Sequence, residues 1–174
     1  SAGVLRCVVV GHLRSEKSPQ TIFRLIEGAM CAPGIHILHI GGGLDDALAR
    51  KATQLSKRNT NYHWCGTMPH GLARAAIKRA HLLIHPSIME GGANVIAEAI
   101  TSGTPVLASQ VSGNVGMLGP EYPGYFPVGD AAALGALLNR SLIDREFFAS
   151  LEKACNARAP LFSGSRLYAI AGSP

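Results

Sequence analysis

Glu90 and Glu98 are separated by seven residues in the run Glu-Gly-Gly-Ala-Asn-Val-Ile-Ala-Glu. A carboxylate accepts hydrogen bonds at both oxygens, so each can clamp a pair of neighbouring hydroxyls of the kind a sugar or a ribose presents. Gly91 and Gly92 between them let a ligand approach the backbone closely. A helix opening just after these glycines has amides with no partner of their own, and its positive dipole end suits phosphate or sugar oxygens. Glu98 falls in Val-Ile-Ala-Glu-Ala-Ile, the most apolar helical stretch of the chain. Burying a charge there unpaired is costly, so a partner or a ligand is expected. The alternative, Glu90 as a helix cap and Glu98 on a solvated face, stays open at this level.

The elements that must position these groups follow from the apolar pattern. A four-residue apolar run over 82–85 reads as a strand ending in the loop that carries Glu90. Gly103 then stands where a left-handed helix stop is wanted, and Pro105 forbids continuation. Strands are also expected over 4–10, 35–40, 61–65 and 106–108, with a short one at 125–128. Helices are expected over 19–30, 45–57, 70–79, 130–138, 144–159 and 162–170, with a glycine-rich loop over 111–116. Strands alternating with helices of this length make an α/β domain, a doubly wound parallel sheet with helices on both faces. Its ligands collect at the carboxyl ends of the strands. Gly11, Gly41 to Gly43, Gly66, Gly91-Gly92 and Gly113 all lie at such ends. No G-x-G-x-x-G follows the first strand, which speaks against a dinucleotide-dependent dehydrogenase.

At 174 residues, one domain spanning 1–174 is expected, large enough to bury a sizeable core. Only 16% of the residues are charged, which points to a face covered by another domain. The net charge of +5 comes from scattered basic residues with few aromatics among them. A small anionic ligand explains it as well as nucleic acid would, and no nucleic-acid partner is expected. The four cysteines have neither CxxC nor metal-ligand spacing and read as free thiols in a reducing compartment, so a cytoplasmic location is expected. There is no signal peptide and no apolar run long enough to span a bilayer. The chain starts directly at a strand, so a piece of a longer protein is expected.

The segments His-Pro-Ser, Glu-Gly-Gly, Glu-Ala and Gly-Thr-Pro-Val between His85 and Val106 hold Glu-x7-Glu at their centre. In this combination the chain resembles the donor-binding C-terminal half of the group 1 (family 4) retaining glycosyltransferases of GT-B type, over essentially its whole length. The resemblance implies a Rossmann-like sheet, the C-terminal half of a GT-B fold. It also implies transfer of a hexosyl or N-acetylhexosaminyl group from a nucleotide-diphosphate-sugar, with a UDP-sugar expected and the nucleotide leaving from the face the acceptor enters. By the same likeness Glu90 and Lys17 are the catalytic groups, Glu90 on the donor-sugar hydroxyls and Lys17 against the diphosphate. Glu98 would take the ribose hydroxyls, and the amides of Gly91, Gly92, Ala93 and Asn94 the sugar and diphosphate. Gly66 and Thr67, within the segment from Trp64 to Met68, would lie at the base. No metal or cofactor is implied, because lysine, arginine and the helix dipole do the charge work. The isolated domain is expected to be inactive without an N-terminal acceptor-binding domain, and peripheral membrane association of the full, bacterial-type protein stays open.

The sequence departs from that family pattern at two places. His12 stands where an arginine is usual, so Arg14 supplies the guanidinium, or His12 meets the phosphate as imidazolium, or His12 is a plain strand-end residue. Ser112-Gly113 and Gly116 stand where a glycine pair and an acidic residue are common. The phrases Glu-Gly-Gly-Ala-Asn-Val, Gly-Asn-Val-Gly-Met-Leu-Gly, Tyr-Pro-Gly-Tyr-Phe and Val-Gly-His-Leu-Arg further resemble the selenosugar synthases of selenoneine biosynthesis. His36, His39 and His63 read as core or edge residues of strands, while His85, ending a strand beside Glu90, is a candidate sugar contact. A non-catalytic nucleotide-binding module, or an epimerase or phosphorylase of the same architecture, remains an alternative.

Overall fold

The computed structural model describes residues 3–89 and 94–163. Among them, β1 (Leu5–Val10), β2 (Ile35–Ile40), β3 (Tyr62–Gly66), β4 (Leu82–His85), β5 (Val106–Ser109) and β6 (Tyr125–Phe126) form one sheet. The order is β3-β2-β1-β4-β5-β6, and every pairing is parallel. Leu, Ile and Val dominate β1 and β4, and all four residues of β4 and of β5 are buried, as central strands covered on both faces require. The expected strand over 125–128 stops at Phe126 because Pro127 has no amide to give the ladder.

The helices are α1 (Pro19–Glu27), α2 (Asp46–Arg58), α3 (His70–Arg79), α4 (Asn94–Thr101), α5 (Ser112–Leu118), α6 (Ala131–Ile143) and α7 (Arg145–Arg158). One layer is built as α1 packs against α2 and α6, and the other as α4 packs against α3, α5 and α7. Asp45, Asp130 and Asp144 each cap a helix by accepting an amide N–H three residues on, at 2.9–3.0 Å. Ile22, Phe23, Leu25 and Ile26 turn the buried face of α1 onto the sheet.

Three boundaries differ from the sequence-based expectation. α1 ends at Glu27 rather than 30, because Ala29 takes a left-handed φ of 48° and Met30 N–H turns back to Leu25 O at 3.0 Å. Residues 111–116, expected as a loop, open α5. Its last turn is closed from outside by Arg158, which donates to Met117 O at 3.0 Å and Gly116 O at 3.2 Å. α6 runs to Ile143 rather than 138, held by Asn139, which accepts from Ala32 N–H at 2.8 Å and donates to Met30 O at 3.2 Å. The helix expected over 162–170 lies, beyond residue 163, outside the described residues.

This strand order decides where a ligand can sit. β1 is followed by β2 on one side and bordered by β4 on the other, so the chains leaving β1 and β4 diverge and open a crevice at their carboxyl ends.

Candidate functional site

Glycines carry the ladder past the ends of the strands. Gly11 N–H donates to Ile40 O at 2.9 Å, Gly41 N–H to Gly66 O at 2.8 Å, and Leu13 N–H to Gly42 O at 2.9 Å. Gly41, with φ 154°, lies so close to the end of β1 that an added Cβ would fall 1.8 Å from Gly11 O. Only glycine fits there. Gly42 N–H in turn donates to Nδ1 of His12 at 3.1 Å. With Nδ1 taken up as the acceptor of this bond, Nε2 is the ring nitrogen His12 has left to offer a ligand, as a donor.

After His12 the chain makes a 3-10 turn, Ser15–Lys17, and Ser18 follows with φ 49°. The Ser18 and Thr21 hydroxyls are hydrogen-bonded at 2.8 Å at the start of α1. The turn brings the Lys17 stem back over the end of β1, where a Cβ on Gly11 would lie 3.7 Å from its Cγ and Cδ. Ile88 N–H donates to Glu16 O at 2.8 Å, which laces the loop after β4 to the loop after β1. A cleft of about 420 Å³ opens at these strand ends. Gly11, His12 and Lys17 line it from the first loop, and Gly41 from the second. Thr67, Met68 and His70 face it from the connection after β3, and His85, Asn94 and Val95 from β4 and α4.

Glu98 does have the partner that its apolar helix calls for: its Oε1 is 3.1 Å from Nε2 of His70, the first residue of α3. The carboxylate is thereby tied to a residue of the cleft wall across the α3–α4 packing. Behind His85, a second set of bonds braces the loop after β4. Ser87 Oγ is 3.2 Å from His85 Nε2, and Ser109 Oγ donates to Ser87 O at 2.5 Å. Asn114 of α5, fully buried, donates through Nδ2 to Ser109 O at 2.9 Å and Ser109 Oγ at 3.1 Å.

Of the residues expected at the site, the structure brings His12, Lys17, Thr67, His85 and Asn94 together around one cleft. Arg14 is placed differently: exposed, with Nη1 3.3 Å from Glu16 Oε1, and not among the residues lining the cleft. Gly66, φ 72°, contributes its carbonyl to the strand-end weave. Trp64 lies behind the turn of Gly41 to Gly43, its Nε1–H donating to Gly41 O at 2.9 Å. Glu90, Gly91, Gly92 and Ala93 lie outside the described residues. His39 is a core residue, its Nδ1 2.9 Å from the Tyr62 hydroxyl, and burial pushes its pKa down to about 4. His36 and His63 are exposed on the opposite face of the sheet. Sequence reasoning missed His70 and the Asn114–Ser109–Ser87 bonds; a polar residue opening the helix after a strand end was the only available sign of the former. Among the described residues no three His, Cys, Asp or Glu side chains converge as a metal site, and no helix is long and apolar enough to cross a membrane.

Comparison with known proteins bears on the fold and the family. Sucrose-phosphate synthase from Thermosynechococcus elongatus superposes with a TM-score of 0.79 at 24% identity, over 98% of this chain and 44% of that one. Anabaena HepE in complex with UDP-glucose gives 0.77 at 16% identity, over 98% of this chain and 49% of that one. Protein CapJ of Staphylococcus aureus is 39% identical over 66 residues, which are 38% of this chain and 16% of that protein. The chain thus spans less than half the length of these proteins. The fold is the Rossmann-like α/β domain of GT-B glycosyltransferases. The model of the family described as Glycosyl transferases group 1 matches residues 5–159, nearly the whole chain, and the protein belongs to that family.

Proposed function

We propose that this domain is the donor-binding half of a retaining, metal-independent glycosyltransferase that uses a nucleotide-diphosphate-sugar. The carrying observation is the cleft at the switch point between β1 and β4, where Lys17 is folded back over Gly11 beside His12, His85 and the start of α4. Such a site offers a cation and backbone amides to a diphosphate, with polar groups for a sugar alongside. Lys17 stabilises the charge that develops on the leaving diphosphate. His12 donates through Nε2–H, in place of a guanidinium. Glu98 takes ribose hydroxyls next to His70, and Gly66 and Thr67 border the base. His85 and Asn94 meet the sugar and phosphates, together with Glu90, Gly91, Gly92 and Ala93. The bond from the anomeric carbon to the diphosphate oxygen breaks as the acceptor's nucleophilic atom bonds to the same face, and any proton that atom carries passes to the leaving phosphate. HepE was captured with UDP-glucose, which favours a UDP-hexose as the first donor to try. The acceptor is held by a further, N-terminal domain, since relatives are about twice as long, and the full protein is cytoplasmic and able to associate peripherally with membranes. Within the family the chain is assigned to the selenosugar synthases, on the phrases around Gly91 and Asn114.

Titration calorimetry with a panel of nucleoside diphosphates and their sugars, with and without a metal chelator, tests this. Binding of at least one nucleotide-sugar, unchanged by chelation, is expected. The domain by itself should transfer nothing, because positioning the acceptor supplies several kcal/mol of the barrier. Failure of every nucleotide to bind would overturn the donor reading. Binding that needs magnesium or manganese would overturn metal independence, and robust transfer by this domain alone would overturn the half-enzyme reading.

A further inference from the structure

On the face of the sheet turned toward α3, alternate residues of β1 and β2 pair as Arg6 with His36 and Val8 with Leu38, and Leu38 pairs in turn with His63 of β3. Arg6, His36 and His63 are exposed, and Leu38 is only half-buried. A parallel sheet normally has helices over both faces, and among the described residues this outer part is short of such cover. Between it and α3 runs a groove of about 450 Å³, the size of a small-molecule site.

The groove has two unlike ends. α3 runs back from the carboxyl edge of the sheet, so Met68, Leu72 and Ala76 face Val8 and Leu38 across an apolar stretch. Leu72 is 60% exposed there. At the other end α3 finishes with Arg79, and the chain returns to β1 as His81 N–H donates to Arg6 O at 2.8 Å. Arg6, His36, Asn61 and Arg79 therefore gather at the amino edge. Among the described residues no Asp or Glu lines the groove and neither arginine has an ion pair. Two permanently charged guanidinium groups without counter-charge, set beside an exposed apolar trough, match a molecule built the same way.

We propose that this groove binds a single-chain amphiphile, its anionic head at Arg6 and Arg79 and its apolar tail along Leu72 and Met68. A second copy of the chain is a poor occupant, since it would set arginine against arginine. The site is separate from the strand-end cleft, meeting it only at Met68, which lines both. Its fate is independent of the donor reading.

Monomeric decanoate, decyl phosphate, decanol and decyltrimethylammonium, titrated into this chain by calorimetry and by ¹H–¹⁵N correlation spectra, test the proposal. Decanoate or decyl phosphate should bind and shift amides of β2, β3 and α3, and the better of the two tells a carboxylate head from a phosphate head. Decanol should bind roughly tenfold more weakly, the effect of one charge-assisted hydrogen bond. Decyltrimethylammonium should not bind. Arg6→Gln with Arg79→Gln should bring the anions down to the level of decanol, and Leu72→Asp should abolish binding. All three side chains are exposed, so circular dichroism should show an intact fold. Equal binding of decanol and decanoate, indifference to Leu72→Asp, no binding of either anion, or shifts confined to the strand-end cleft would each overturn the proposal.

Discussion

Glu98→Ala separates the ion pair that the structure gives this carboxylate from the ribose contact proposed for it. The side chain is 19% exposed and reaches His70, whose ring is 72% exposed, at 3.1 Å. A pair this open to water is worth about 0–1 kcal/mol to the fold. For a domain of this size, that loss lowers Tm by at most about 2–4 °C. If the carboxylate also accepts from two ribose hydroxyls, its removal leaves those hydroxyls without a charged acceptor. That costs about 1–3 kcal/mol of binding, or roughly 5- to 150-fold in Kd. His70→Ala removes the same pair while leaving Glu98 in place, so it should reproduce the small change in Tm and little of the change in Kd. Differential scanning fluorimetry and calorimetry with UDP on both variants measure the two quantities. An unchanged Kd in Glu98→Ala with a clearly lower Tm would make the residue a brace between α3 and α4 and remove it from the ribose. Equal losses of affinity in both variants would show that Glu98 acts through His70.

Lys17→Ala should weaken UDP far more than uridine and flatten the salt dependence of UDP binding, because one charge contact has gone; equal losses for the two ligands would place Lys17 away from the phosphates. His39 stays neutral in the fold with its pKa pushed down to about 4, whereas in the unfolded chain it titrates near 6.5. Its contribution is therefore complete above pH 6.5 and is lost as the unfolded state takes up the proton between 6.5 and about 4, to a total of about 3 kcal/mol. Urea unfolding of the wild type and His39→Leu at pH 7 and pH 4.5 should show the smaller acid loss in the variant, and equal losses would contradict the buried-histidine account. Gly41→Ala should cripple UDP binding and lower stability by several kcal/mol, since its Cβ collides with Gly11 O at a φ that alanine rarely adopts; a stable variant that binds normally would show that the strand ends can part.

The alternation of apolar runs with capped helical stretches was enough to set out the doubly wound sheet, because strand and helix periods, aspartate caps and glycine stops are local signals. Asp45, Asp130 and Asp144 cap helices whose starts were expected at those residues. Glycines 11, 41, 42 and 66 were legible as strand-end positions and His85 as a strand-end candidate, whereas Lys17, His12, Thr67 and Asn94 became candidates through the family resemblance. What local signals could not contain were bonds between residues far apart in the chain. Arg158 closing α5, the tie from Ile88 to Glu16, and the bond from Ser109 to Ser87 all span such separations. Glu98 shows the division most clearly. Its apolar surroundings demanded a partner, since a buried charge is costly, but only the packing of α3 against α4 decided that the partner is His70. His12 shows it as well: the sequence places it at a strand end, and only the fold, by aiming Gly42 N–H at Nδ1, decides which ring nitrogen is left for a ligand.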